Sequence, residues 1–126
     1  IWVHFSETIS QHTAALTQQH VALYDDTMRS PIVMKLEAAR LAKCYAAIEA
    51  RLTDLGTNAQ YLLASGFSAA DVSVGQAVYM ACHFATLDAF PKTSAWYKLI
   101  SERPAFQASL PKLEERLFQQ EFFASW

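Results

Sequence analysis

The sequence predicts an all-α fold, a helical bundle built around one buried central helix. Three observations predict it. Apolar residues recur at steps of three and four through most of the 126 residues, and no run of alternating β-branched residues signals a strand. One stretch, Phe67-Ser68-Ala69-Ala70-Asp71-Val72, combines a helix start with an apolar run that has no polar face. A chain of this length fills one hydrophobic core and not two, so residues 1–126 read as one helical domain.

Composition narrows the partners. With 52% apolar residues, 17% charged residues, three glycines and four prolines, disorder is excluded. A net charge of −2 lacks the basic excess of a phosphate-reading domain, so no nucleic acid is expected. No uncharged apolar run reaches the ~20 residues a membrane span needs, and no signal segment opens the chain. No membrane partner is expected. The two cysteines, Cys44 and Cys82, sit in apolar helical sequence, which argues against a disulfide framework and for a reducing, cytoplasmic setting. Ile1-Trp2-Val3-His4-Phe5 begins already in helical phase, with neither a methionine nor a capping residue, so the chain is expected to be a piece of something longer.

The first helix is carried by Trp2, Phe5, Ile9, His12, Leu16 and His20, which fall within about 80° of one another. Val21 to Arg29 leaves two alternatives, since Asp25-Asp26-Thr27 can bend the chain or cap a short turn. Ser30-Pro31 restarts the helix, with serine as N-cap and proline at the first helical position. Met34, Ala38, Leu41, Tyr45, Ile48, Leu52 and Leu55 then alternate steps of four and three. The other faces carry Lys35, Glu37, Arg40, Lys43, Glu49, Arg51 and Asp54, expected toward solvent. Gly56 ends that helix, and Thr57 to Gly66 connects onward with Tyr61-Leu62-Leu63 pinned to the core.

The central helix starts at Ser68. Its hydroxyl is placed to accept from the Asp71 N–H while the Asp71 carboxylate accepts from the Ser68 N–H, a Ser-x-x-Asp capping box; Phe67 and Val72 are spaced for a hydrophobic staple. The apolar run from Val72 to Ala85 predicts a rod of about 17 residues, roughly 25 Å, enclosed on nearly every side. Pro91 opens the next helix, whose buried side is expected to be Ala95, Trp96, Leu99 and Ile100; Pro104 and Pro111 open further short ones. The final stretch, Lys112 to Trp126, keeps Leu113, Leu117, Phe118, Phe122 and Phe123 apolar.

Few residues invite a chemical reading. The cap accounts for Ser68 and Asp71, and Gly66-Phe67-Ser68-Ala69-Ala70 is no nucleophile elbow because no strand precedes it. His12 and His20, about 12 Å apart along one helix, cannot share a metal, and no metal site is expected. They read as hydrogen-bonded interface histidines. His83 with Tyr79 can form a polar spot in an apolar pocket or pack in the core. Cys44 and Cys82 lack a basic cluster to lower a thiol pKa. Arg103 can clamp an anionic group, but is rather expected to end its helix, where a cation meets the negative dipole end, or to pair with Glu102 or a carbonyl. The aromatic tail, Phe118, Phe122, Phe123 and Trp126, covers a pocket or packs on another domain.

The set Tyr61-Leu62-Leu63, Gly66-Phe67-Ser68-Ala69-Ala70-Asp71-Val72, Phe90-Pro91 through Trp96, and Ile100-Ser101-Glu102-Arg103-Pro104-Ala105-Phe106 resembles the C-terminal helical domain of the glutathione transferases. Trp2-Val3-His4-Phe5-Ser6-Glu7 is similar to the start of that domain's first long helix. The resemblance implies a detoxifying transferase that joins glutathione, as co-substrate, to a small apolar electrophile. It also implies a thioredoxin-like N-terminal domain, not in this sequence, that holds the glutathione, and a homodimer. By the same resemblance the helical domain forms one wall of the electrophile pocket, here Trp2, Phe5, Ser6, Ile9, Tyr79 and His83, contributes no catalytic residue, and is inactive alone. The same architecture hosts isomerisation and dehalogenation. The alternative is a non-catalytic interaction or dimerisation module of the same shape.

Overall fold

A computed structural model describes residues 1–23 and 25–123. Among the described residues there are helices and loops and no strand, so the fold is the all-α bundle expected. Helix α1 (Trp2–Thr17) runs on into a π-helical turn, Gln18–Ala22, and a 3-10 turn, Asp26–Met28, leads to α2 (Pro31–Asp54). Then follow α3 (Ala69–Ala81), α4 (Pro91–Ser101), α5 (Pro104–Ser109) and a last 3-10 turn, Leu113–Glu115.

Local chemistry fixes most of these boundaries. The Asp25 side chain accepts from the Thr27 N–H, so the ambiguous stretch is a capped short turn. Ser30 accepts from the Val33 N–H and Pro31 occupies the first position of α2. Gly56 follows the end of α2 at φ +101°, a backbone region that L side chains avoid.

At the head of α3, Ser68 Oγ accepts from the Ala70 N–H at 3.2 Å and the Asp71 carboxylate accepts from the Ser68 N–H at 3.0 Å, within a closed capping box. Asp71 does more than cap. It is fully buried, and its Oδ1 accepts from the Leu62 N–H at 3.0 Å and from Trp96 Nε1–H at 2.8 Å. The Leu62 carbonyl in turn accepts from Arg51 Nε at 3.0 Å. One carboxylate therefore joins the start of α3, the preceding loop and α4, with the end of α2 one bond further on. A buried carboxylate without such donors would cost several kcal/mol.

Helices α1 and α3 run side by side in the same direction, with Trp2 beside Ser68–Ala70 and Thr13 beside Met80. Helix α2 runs the opposite way along α1, bringing Arg51 near Trp2 and Glu37 onto His12. Helix α4 lies along α3, where Asp71 bonds Trp96 and Gly75 faces Ile100. A Cβ on Gly75 would stand 2.5 Å from Ile100 Cδ1, so the missing side chain permits the close approach. Ile9, Leu16, Leu41, Tyr45, Ile48, Leu62, Val74 and Val78 fill the core.

Four expectations are corrected. The central helix has 13 residues, not about 17. Beyond Ala81 the Phe84 N–H bonds the Ala81 carbonyl at 2.9 Å, and the His83 carbonyl accepts from the Phe122 N–H at 2.7 Å. That tightened turn drops Phe84 among His20, Phe118 and Phe122. The rod also has an open edge, because Val72 is 58% exposed and Gln76 faces outward. On α4 the buried side is Thr93, Trp96 and Ile100, while Ala95 is exposed and Leu99 half-buried. Finally, Glu37 and Glu49 leave the solvent face assigned to them. Glu37 is buried between His12 and Arg40, and Glu49 turns toward α4.

Glu49 explains why Thr93 is inside. The N-cap residue Phe90 offers no side-chain acceptor, and the Glu49 carboxylate supplies it from α2 instead. It accepts from the Lys92 N–H at 3.1 Å, the Thr93 N–H at 2.8 Å and the Thr93 hydroxyl at 2.8 Å. Burial pushes the Glu49 pKa up, but the Thr93 and Lys92 N–H groups, the Thr93 hydroxyl and the Lys92 charge outweigh it and hold the carboxyl below its ordinary value of 4.5. A depressed carboxyl contributes stability that is complete above its unfolded pKa and is lost as pH falls through the folded one. We therefore expect Glu49→Gln to lower stability at neutral pH and to flatten the loss of stability below about pH 4.5, measured by urea denaturation across pH. Parallel pH curves for the two proteins would contradict this capping role.

Candidate functional site

The residues expected to form one pocket wall fall into two groups at opposite ends of α3. Trp2 and Phe5 meet edge to face at 5.3 Å on the first turns of α1. The Ser6 hydroxyl donates to the Val3 carbonyl at 2.6 Å, and Ile9 is a fully buried member of the core. Trp2 borders an open hollow with Arg51, Leu63 and Ser68, at the start of α3. Tyr79 and His83 lie near its other end, about ten residues or roughly 15 Å away. Because α1 and α3 run the same way, the start of α1 does not reach them.

Tyr79 and His83 share a cavity of about 300 Å³ with Gln76, Met80, Phe106 and Phe118. The rings are laid edge to face: Tyr79 to His83 at 6.3 Å and Tyr79 to Phe106 at 6.3 Å, with Phe118 tilted at 5.1 Å from His83. His83 Nδ1 lies 3.2 Å from the Gln120 carbonyl. A carbonyl only accepts, so the Nδ1 proton is committed there and Nε2 remains the ring's other polar atom. The lining mixes the rings of Tyr79, His83, Phe106 and Phe118 with aliphatic side chains and with polar Gln76, Ser109, Glu115 and Arg116. Gln76 and Met80 were reachable from the sequence, since helical spacing puts them on one side with Tyr79 and His83. Phe106 and Phe118 were not, because tertiary folding alone brings α5 and the tail here.

Neither cysteine is activated as a nucleophile. Both cysteines are free thiols, and burial pushes each upward, Cys82 to about 11. Burial likewise pushes the Tyr45 and Tyr97 phenols up, and Tyr45 donates to the Ala85 carbonyl at 3.2 Å. His12 Nδ1 meets Glu37 Oε2 at 2.6 Å, and Arg40 pairs with the other oxygen, a tie between α1 and α2. The His20 ring packs on Phe84 and Phe122, and burial, then the Arg29 charge, lowers its pKa. His4 is exposed beside Glu7. Among the described residues no group of three or more His, Cys, Asp or Glu side chains is placed to hold a metal, and no helix is long and apolar enough to cross a membrane.

Arg103 follows the end of α4, as expected, but its side chain does not make the expected pairing. Its guanidinium lies over the Phe67 ring, 3.7 Å from the centroid, rather than on Glu102 or a carbonyl. Phe67 also meets Tyr61 edge to face at 5.7 Å, and Phe67 and Val72 line a common cavity. In the tail Phe118 is buried and Phe122 packs on the core, while Leu113, Leu117 and Phe123 are exposed. Trp126 lies outside the described residues.

The described residues thus form a helical bundle with hollows at both ends of a capped central helix. Residues 14–99 match the family model for the C-terminal domain of glutathione S-transferase, and the chain belongs to that family. No curated protein matches it.

Proposed function

We propose that this domain forms the apolar wall of the electrophile pocket in a glutathione transferase. Glutathione is the co-substrate, held by a partner thioredoxin-like domain that also activates its thiol. The observation that carries the reading is the cavity around Tyr79, on the central helix, and His83, just past its end, in a domain of this family. The apolar part of that lining, Met80, Phe106, Leu117 and Phe118 with the Tyr79 ring, suits a small apolar electrophile, and the rate comes from holding it against the thiolate. Trp2, Phe5 and Ser6 belong to a separate surface at the head of α3, and Ile9 serves the core. The assembly is a homodimer, supported by the exposed apolar face of Met28, Ile32, Val33 and Leu36 around the start of α2.

In the intact protein, Tyr79→Ala is expected to change the ratio of kcat/KM between a bulky and a compact apolar electrophile by about tenfold or more, as pocket contacts of this size do. The KM for glutathione stays nearly constant. Phe5→Ala, remote from that cavity, leaves the ratio unchanged. An unaltered ratio for Tyr79→Ala removes this wall from the pocket, and an intact protein without conjugating activity points to the interaction module instead. For the assembly, the double variant Ile32→Glu, Leu36→Glu is expected to sediment at half the parent mass. A variant that keeps the parent mass excludes this face as the interface.

A further inference from the structure

We infer that His83 is a specificity-determining residue of the cavity it shares with Tyr79, and that the electrophiles this site takes carry a neutral hydroxyl or N–H donor. The inference rests on the function proposed above and adds a polar requirement to an otherwise apolar substrate. The two nitrogens of the His83 ring are not equivalent. Nδ1 lies 3.2 Å from the Gln120 carbonyl, which only accepts, so Nδ1 carries the proton and Nε2 of the neutral ring is a lone pair that only accepts. The tail thus decides which polar character the ring offers to the cavity.

That acceptor is held in place and has no donor of its own. The ring is flanked by Phe118 at 5.1 Å and Tyr79 at 6.3 Å, and the His83 carbonyl accepts from the Phe122 N–H at 2.7 Å. Among the described residues nothing donates to Nε2, and the ring is partly exposed, so in the free protein the lone pair faces solvent. A ligand that fills the cavity displaces that solvent, and it either donates to Nε2 or leaves it unpaired. The other polar groups of the lining discriminate less. Tyr79 and Gln76 can each donate or accept, so they tolerate ligands of either kind. The Ser109 hydroxyl donates to the Phe106 carbonyl at 2.7 Å, and Arg116 Nε is turned to the Pro111 carbonyl. Glu115 only accepts, but it is exposed, where water competes. Phe106 stands between this cavity and the hollow of Phe67 and Val72. An aromatic electrophile would lie between Phe106 and Phe118 with its donor on the His83 side.

The test compares meta-hydroxybenzylideneacetone with its meta-methoxy ether on the intact protein. With either enone the glutathione thiolate adds to the β-carbon, forming the C–S bond, and the resulting enolate takes a proton from water. The two meta substituents act alike on the enone, and each rate is divided by the uncatalysed one. The parent is expected to favour the phenol in kcat/KM by about tenfold or more, the scale of one acceptor left unpaired. His83→Phe, which keeps a ring and removes the acceptor, is expected to lose that preference with the KM for glutathione unchanged; a merely structural role for His83 would lower both rates together. A second reading needs neither turnover nor a variant. In the parent, the nitrogen NMR signal of His83 Nε2 is expected to move with the saturated, unreactive meta-hydroxy ketone and to stay with its methyl ether. Conjugation without a preference for the phenol, a folded His83→Phe protein that keeps the preference, or an unmoved Nε2 signal would each overturn the role of His83. A moved Nε2 signal in a protein that conjugates neither enone would keep His83 as the acceptor of this cavity and remove the transferase reading instead.

Discussion

The fold depends on where the carboxylate of Asp71 finds its donors. It sits at zero exposure and accepts from Ser68, Leu62 and Trp96, groups that belong to a helix start, a loop and another helix. A longer acidic side chain would overshoot the Ser68 N–H, and an amide would present hydrogens where at least one donor already points. The geometry of three elements is thereby fixed by one short side chain. Gly75, one turn further along α3, allows α4 to follow at close range, which is what lets the Trp96 indole reach Asp71.

Glu49 repeats the principle at the head of α4. Here again a helix start is completed by a carboxylate, this time from a different element, and a polar residue, Thr93, is drawn inside. The two caps share a consequence for binding. With both helix starts anchored, the outward edge of α3 and the end of α4 are held as walls, and the cavities on either side of Phe106 are bounded by elements that are not free to drift. The other end of α3 is set differently, by the tail: Phe122 reaches the His83 carbonyl, and Phe84, Phe118 and Phe122 stack around it.

Much of the fold was legible because its signals are local. Ser30-Pro31, Gly56 and Pro91 mark boundaries by their own backbone chemistry, and the Met34-to-Leu52 stripe identifies the buried side of α2 by spacing alone. The bond between Asp71 and Ser68 spans three residues and is equally visible. The bonds to Leu62 and Trp96 span nine and 25, and no periodicity encodes them. Glu37 and Glu49 were hidden for the opposite reason: on a helix otherwise rich in charge, a buried acid looks like one more solvated one until its partner appears. The candidate site was readable only in part. Helical spacing groups Tyr79 with His83, but the relative direction of α1 and α3, which separates Trp2 from them, is a property of the assembled bundle.

Chemical denaturation of Asp71→Ala beside Ser68→Ala separates a hub from a simple cap. Losing the serine hydroxyl is expected to cost about 1 kcal/mol, as an ordinary N-cap does. Losing the carboxylate leaves the Leu62 N–H and the Trp96 indole buried without an acceptor as well, and is expected to cost more than about 3 kcal/mol. Equal losses in the two variants would mean that Asp71 only caps its helix, and the account of how this bundle is held together would be wrong.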